Sequence, residues 1–244
     1  MIALYFKELN SYLSSLTGYL VILLYLLING LFLWVFDGGF NIPDSGYASI
    51  QPLFVISPWV FMFLIPAITM RMFSDERRLG TLEFLFTKPL NETKIILAKY
   101  FAALSLVIIS ILPTLVYFFV VYAYAEPQGN VDVGGSMGSY LGLIFLGAAY
   151  SAIGLFASAL TENQIVSFLI GLFLCFFMYT GFESLANFDL LGGFEQTFVN
   201  LGISVHFSSM SRGVIDTRDA IYFISLSGIF ILATRLKLVS RKWV

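Results

Sequence analysis

The sequence predicts an all-α polytopic membrane protein with six transmembrane helices. Two observations lead to this fold class. First, 59% of the 244 residues are hydrophobic and 11% are charged, whereas a soluble domain averages about 45–50% apolar and about 25% charged residues. Second, the chain contains six long uncharged stretches, and a helix needs roughly 20 mainly apolar residues to cross the hydrocarbon core. An ordinary soluble enzyme and a disordered regulator are therefore excluded.

Six spans follow one another in a single predicted membrane domain that covers residues 1–244. The first begins after Lys7 and Glu8, and its apolar run is too long for a cleavable signal peptide. Pro58, Pro66 and Pro113 fall inside the second and third spans, where proline kinks a helix. The predicted spans are residues 16–36, 52–72, 100–125, 139–160, 163–182 and 220–236.

The connections between the spans are unequal. Residues 161–164 form a tight turn, so the fourth and fifth spans are predicted to make a helical hairpin. The segment 183–219 is longer and still carries apolar residues at regular intervals. This spacing is typical of short re-entrant or interfacial helices that precede the last span.

Basic residues predict the orientation. The N-terminus, the segment 71–99 and the C-terminal tail hold eleven of the thirteen Lys and Arg residues, and the three opposite loops hold two of them and nine of the fifteen acids. Because cytoplasmic loops are enriched in Lys and Arg, both termini are predicted to lie in the cytoplasm. The expected location is the inner, cytoplasmic membrane of a cell.

Few residues point to catalysis. Residues 134–138 match the G-x-S-x-G pattern around Ser136, but the only imidazole of the chain is His206, and the pattern works on a strand-to-helix turn. A flexible loop is one interpretation of this segment, and an intramembrane hydrolase is the alternative. One histidine and one cysteine, Cys175, provide no metal site, and no phosphate-binding G-x-x-x-x-G-K-[ST] motif is present. No cofactor is expected, and a formal charge of −2 gives no basic surface for nucleic acid.

Small residues form a row on the fourth predicted span. Gly147, Ser151, Gly154 and Ser158 recur at i, i+4, i+7 and i+11, which is one face of a helix. Small residues let helix backbones approach closely in lipid. The row is predicted either to pack inside the subunit or to form a seam between subunits.

The basic segment between the second and third spans is amphipathic. Four apolar residues share one helical side, and two arginines lie largely on the other: Leu79, Leu82, Leu85 and Phe86 against Arg77 and Arg78. One interpretation is a surface helix with arginines that reach toward water. The other is a docking helix on which a cytoplasmic partner acts.

This segment resembles a family signature. Glu76-Arg77, Gly80-Thr81, Glu83 and Pro89, followed by Lys99, resemble the E-R…G-T-x-E…P…K pattern of ABC-2-type transporter permeases. The N-terminal residues Phe6 to Leu9 are similar to the amphipathic entry helix of that family, and the segments 158–164 and 206–223 and the Arg241-Lys242-Trp243 terminus also match. Within the family, the chain most resembles the F-type permease subunit that is associated with gliding motility.

The resemblance implies a permease subunit without its own nucleotide-binding site, in a complex driven by ATP. It implies a cytoplasmic ABC ATPase as a partner, a second permease subunit in a homodimer or heterodimer, and an auxiliary gliding-motility membrane subunit. The complex would perform export or conformational work across the inner membrane. A scaffold for surface machinery that moves no cargo is the alternative. The implied ATPase-coupling helix carries Glu76, Arg77, Arg78, Gly80, Thr81, Glu83 and Pro89.

Overall fold

The structure, a computed structural model, describes residues 1–81, 91–186, 195–213 and 216–240, and they form helices joined by turns. The helices in chain order are α1 (Ile2–Leu13), α2 (Leu16–Trp34), α3 (Ile42–Ser45), α4 (Gln51–Thr69), α5 (Arg71–Arg78), α6 (Glu92–Ile111), a 3₁₀ turn (Leu112–Thr114), α7 (Leu115–Tyr124), α8 (Val133–Leu160), α9 (Gln164–Phe176), a π-helical turn (Phe177–Gly181), α10 (Phe182–Ala186), α11 (Glu195–Val199), α12 (Ile203–Met210) and α13 (Thr217–Ser240).

Six helical segments of the described chain are long and apolar enough to cross a membrane. They are span one (Leu16–Trp34), span two (Gln51–Arg78), span three (Glu92–Tyr124), span four (Val133–Leu160), span five (Gln164–Ala186) and span six (Thr217–Ser240). The predicted fold class, an all-α polytopic membrane protein with six transmembrane helices, is confirmed within these residues.

The helices extend past the uncharged stretches from which the spans were predicted. Span three begins at Glu92, so that Lys99 lies inside the helix and not before it. A search for uncharged stretches ends at the first charge, but a helix continues through a charged residue whose side chain finds partners inside the protein. Lys99 is such a residue, as its contacts below show.

Span four forms the centre of the bundle. It packs against spans two, three, five and six, and 72% of its 18-residue apolar section is buried. The small residues make this possible. A Cβ atom added at Gly147 would lie 2.6 Å from the Val107 side chain of span three, and one added at Gly154 would overlap Thr69 of span two. Close backbone approach is the usual way in which membrane helices pack.

Prolines lie inside two of the spans and divide one of them. Pro58 and Pro66 lie inside α4, which ends before α5 begins at Arg71. Pro113 lies in the 3₁₀ turn that divides span three into α6 and α7, because proline has no N–H to continue the α-helical ladder. Beside this turn, the hydroxyl of Tyr140 donates a hydrogen bond of 2.9 Å to the carbonyl of Thr114.

Short helices precede span six, as the spacing of apolar residues in 183–219 predicts. They are α11 and α12, which follow α10 at the end of span five. At the other end of the chain, α1 forms a separate N-terminal helix that packs against α2 and α6. Its Leu4 and Tyr12 side chains are buried, whereas Ile2 and Phe6 are exposed.

Candidate functional site at the basic end of the bundle

Four elements come together at one end of the bundle, which we call the basic end. They are α1, α5, the beginning of α6 and the turn between spans four and five. Helix α1 packs against α6, and side-chain bonds of Lys99 and Arg77 connect α5 to α1, to α6 and to the turn. The arrangement places the segment with the permease-like signature beside the N-terminal helix. The contacts below show how its side chains are held.

Lys99 connects three of these elements. Its side chain is 2% exposed, and its Nζ atom lies 3.0 Å from Oε1 of Glu8 on α1 and 2.8 Å from Oε1 of Glu76 on α5. Nζ also lies 5.4 Å from the centre of the Phe73 ring, within the range of a cation–π contact. A buried ammonium group is costly unless opposite charges and hydrogen bonds compensate it. The Lys99 cluster (Glu8, Phe73, Glu76 and Lys99) therefore holds α1, α5 and α6 together.

Ser158 connects α5 to span four. Its Oγ atom accepts hydrogen bonds from the backbone N–H groups of Phe73 (2.8 Å) and Ser74 (3.2 Å), and donates one to the carbonyl of Met70 (3.0 Å). The first N–H groups of a helix have no partner within the helix itself. Ser158 thus supplies from another span the partner that the start of α5 needs.

The signature arginines point in different directions. The Arg77 side chain is 9% exposed, its Nη1 atom donates a hydrogen bond of 2.6 Å to the carbonyl of Ala159, and its Nη2 atom lies 3.8 Å from Glu162. Arg78 is 61% exposed and pairs with Asp75 at 3.2 Å. Arg77 is therefore part of the contact with span four, whereas Arg78 faces outward.

The residues that follow Arg78 are also exposed. The Leu79 side chain is exposed, and Gly80 and Thr81 lie on the surface. Gly80 has φ +67°, a left-handed conformation that glycine adopts without strain and that commonly ends a helix. We call residues 78–81 the exposed edge. Glu83 and Pro89, the other predicted coupling residues, lie outside the described residues.

The row of small residues faces the interior of the subunit. Gly147, Ser151, Gly154 and Ser158 are buried, and the contacts of Gly147, Gly154 and Ser158 described above are with spans two and three of the same chain. The Ser151 hydroxyl has no hydrogen-bond partner among the described residues. Three of the four positions thus bring span four against its neighbours.

Tyr12 and Arg71 complete the contact between α1 and span two. The Tyr12 hydroxyl donates a hydrogen bond of 3.0 Å to the carbonyl of Ile68, and the Arg71 guanidinium lies 5.3 Å from the centre of the Tyr12 ring. Burial raises the pKa of the Tyr12 phenol above its usual value, so the hydroxyl stays protonated and remains a donor. A cavity of about 260 Å³, lined by charged and hydroxyl side chains, lies beside this contact.

The residues of the hydrolase interpretation are engaged elsewhere. The Ser136 hydroxyl donates a hydrogen bond to the carbonyl of Asp132 at 2.7 Å. His206 has Nδ1 at 2.6 Å from Asp219 and Nε2 at 2.9 Å from the carbonyl of Asn200. Residues 133–138 begin a helix that Asp132 caps through the N–H of Gly135, and not a strand-to-helix turn. In the described residues, this segment is a helix start.

The Lys99 cluster was only partly visible in the sequence. The family-like pattern includes Glu76 and Lys99 but does not indicate that they pair, and it does not include Glu8. One signal was available: Glu8 lies among apolar residues of the N-terminal segment, and a carboxylate on a helix that packs on the bundle must find a partner.

This geometry defines a class of protein. It is a polytopic α-helical membrane protein in which a charged helix, α5, is bonded to one end of the helix bundle. The chain belongs to the ABC-2 family of transporter proteins, whose family model matches residues 41–201. A comparison with curated proteins gives no match. Membership makes the chain a membrane permease component of an ABC transporter and not a catalytic domain, and it implies association with an ABC ATPase.

Proposed function

We propose that the chain is a permease subunit in which the exposed edge receives the motion of a cytoplasmic ABC ATPase, and the Lys99 cluster and Ser158 pass it to the membrane spans. Both termini lie in the cytoplasm in this proposal, and the protein resides in the inner membrane. The observation that carries it is the two-sided nature of α5: one side is bonded to α1, α6 and span four, and the other is exposed.

The coupling would be mechanical. A partner can shift the equilibrium between two conformations only if it contacts them differently. Arg78 and Leu79 offer such a partner a charge and an apolar side chain on the surface. Because α5 continues span two and is bonded to α1, α6 and span four, a displacement of α5 would reposition several helices together.

The finer features of the proposal come from the sequence resemblance. The similarity to gliding-motility-associated permeases supports a role in that machinery, with an auxiliary membrane subunit, and the work done would be export or conformational work. A second permease subunit, identical or homologous, would complete the complex.

The structure adds an apolar surface on span five. Ile165, Leu169 and Phe173 form an exposed apolar row along this span, which is suited to contact with lipid or with another membrane subunit.

The test is affinity isolation of the complex, followed by substitution on the two sides of α5. Arg78→Glu and Leu79→Asp, alone and combined, are expected to reduce the amount of ATPase that co-purifies by at least about tenfold in the double variant, with normal membrane insertion. Arg212→Glu reverses an exposed charge at the opposite end of the bundle and is the matched control. Unchanged co-purification of the double variant would contradict the proposed docking surface.

Arg77→Glu separates docking from transmission. Because Arg77 is bonded to span four, its substitution is expected to reduce ATP turnover of the isolated complex more than it reduces ATPase co-purification. Loss of both in equal measure would place Arg77 in the docking surface instead.

A further inference from the structure

The end of the bundle opposite to the basic end carries a cavity of about 410 Å³. We call this end the acidic end, because described acids such as Asp37, Asp44, Glu126 and Asp132 lie in the connections at this end. The cavity lies between α4, the π-helical turn and α12, and its volume is in the range of small-molecule sites. It takes no part in the contacts of α5.

Aromatic rings and a carboxylate line this cavity. Trp59 and Tyr179 meet edge to face with ring centres 5.6 Å apart, and Glu183 accepts a hydrogen bond of 3.3 Å from Ser204. Phe54 and Ser208 complete the wall, and no Lys, Arg or His is among the described residues that line it. Aromatic faces beside a carboxylate are the surroundings that an ammonium group prefers.

The π-helical turn positions two of these groups. Tyr179 lies on it, and Glu183 lies in the first turn of α10, which follows it; the α-helical ladder of span five has ended at Phe176. A π-helical turn inserts an extra residue, which changes the direction of the side chains that follow, and such turns occur frequently at functional sites. Here the turn brings Tyr179 and Glu183 to the same cavity.

A second cavity shares a wall with the first. It is a groove of about 420 Å³ between α2 and α4, and its described lining residues are all apolar. Val55 and Trp59 line both spaces, so the groove adjoins the first cavity at these two residues. Phe32 and Phe63 form other parts of its wall and are partly exposed. A cavity of mixed polar and apolar lining, with one carboxylate, therefore adjoins an apolar groove.

We propose that the acidic-end cavity binds an amphiphile with an ammonium head group, with the head beside Glu183, Trp59 and Tyr179 and the hydrocarbon chain in the groove beside Phe63. The inference rests on the proposed permease function, for which it names a class of substrate. Charge complementarity selects the head group, and the apolar groove next to the cavity, across Val55 and Trp59, selects a molecule with a chain. Tetradecyltrimethylammonium has both parts and is a suitable probe.

The test uses Trp59 as the reporter. The other tryptophans are replaced in a Trp34→Phe/Trp243→Phe background, and the chain is purified in dodecyl maltoside, which carries no amine. The probe is expected to change Trp59 emission saturably. Glu183→Gln is expected to raise the apparent Kd about three- to tenfold, and Phe63→Ala is expected to raise it also. Asp44→Asn removes an exposed carboxylate at the same end, outside both cavities, and should leave the Kd unchanged.

Two chemical controls separate head from chain. Tetradecyl sulfate is expected not to compete, and tetramethylammonium is expected to bind more weakly than the full probe. The inference is overturned if Glu183→Gln binds the probe with the same Kd as the parent, or if tetradecyl sulfate competes as well as the probe itself. It is also overturned if Trp59 emission depends on protein concentration and not on the probe. That result would show that a second copy of the chain covers the groove. Probe binding is measured on the isolated chain without an ATPase. A failure to bind the probe would therefore leave the ATPase co-purification results for the Arg78 variants unaffected.

Discussion

Gly154 is a position at which the structure leaves no room for a side chain. A Cβ atom there would overlap Oγ1 of Thr69, a side chain that is itself buried and bonded to the carbonyl of Ile65. We expect Gly154→Ala to destabilise the protein by about 1–3 kcal/mol, the usual cost of overpacking. Thermal unfolding in detergent measures the effect, and adding Thr69→Ala to the variant should recover part of the loss.

Gly228 is the matched control for this substitution. It lies inside span six, and a Cβ atom at this position would meet no other atom within 4 Å. Since alanine stabilises a helix relative to glycine where space allows, Gly228→Ala should leave the melting temperature unchanged or raise it. Equal destabilisation by the two substitutions would contradict the packing described for span four.

Lys99 gives a second prediction at the scale of single residues. Lys99→Met leaves Glu8 and Glu76 without their shared cation, and removing one partner of a buried ion pair costs about 3–5 kcal/mol. The triple variant Lys99→Met/Glu8→Gln/Glu76→Gln removes all three charges and is expected to regain most of that stability. Chemical or thermal unfolding compares the two variants. A triple variant no more stable than Lys99→Met would show that the charges do not act as a unit.

At the scale of elements, α5 depends on hydrogen bonds from span four. Ser158→Ala leaves the buried N–H groups of Phe73 and Ser74 without their partner, and a buried group that loses its hydrogen bond costs about 1–3 kcal/mol. Hydrogen exchange of α5 is expected to become faster. Ser151→Ala, on the same face of the same helix, removes a hydroxyl that has no hydrogen-bond partner among the described residues, so the exchange of α5 should not change. Faster exchange in both variants would contradict this role of Ser158.

The sequence identifies some of these elements more readily than others. Uncharged stretches locate the six spans because the bilayer imposes a length and a composition that one sequence displays. The small-residue row on span four is also visible, because its spacing is helical. The π-helical turn at Tyr179 is not, because no residue type specifies it, and the pairing of Lys99 with Glu8 joins residues 91 positions apart. Contacts of this kind depend on tertiary packing, which no local pattern encodes.

For the molecule as a whole, the proposed orientation makes a labelling prediction. Cys175 is the only cysteine and is buried, so that Cys175→Ala provides a background for single engineered cysteines. Lys94→Cys at the basic end and Asp44→Cys at the acidic end replace exposed residues. In intact cells, a membrane-impermeant maleimide is expected to label Asp44→Cys and not Lys94→Cys. After the cells are opened, it is expected to label Lys94→Cys as well. The reverse pattern would contradict both the orientation and the position of the ATPase.

The 3₁₀ turn at Pro113 has a consequence for how far a motion can travel. The last third of span three, α7, is joined to α6 through this 3₁₀ turn and not by a continuous α-helical ladder, and the Thr114 carbonyl accepts a hydrogen bond from Tyr140 of span four. Under the proposed coupling, a tilt of α6 would reach α7 less directly than it would through an unbroken α-helix. In a permease of the proposed kind, span four, which packs against spans two, three, five and six, would then carry most of the displacement, and the two ends of span three could move independently.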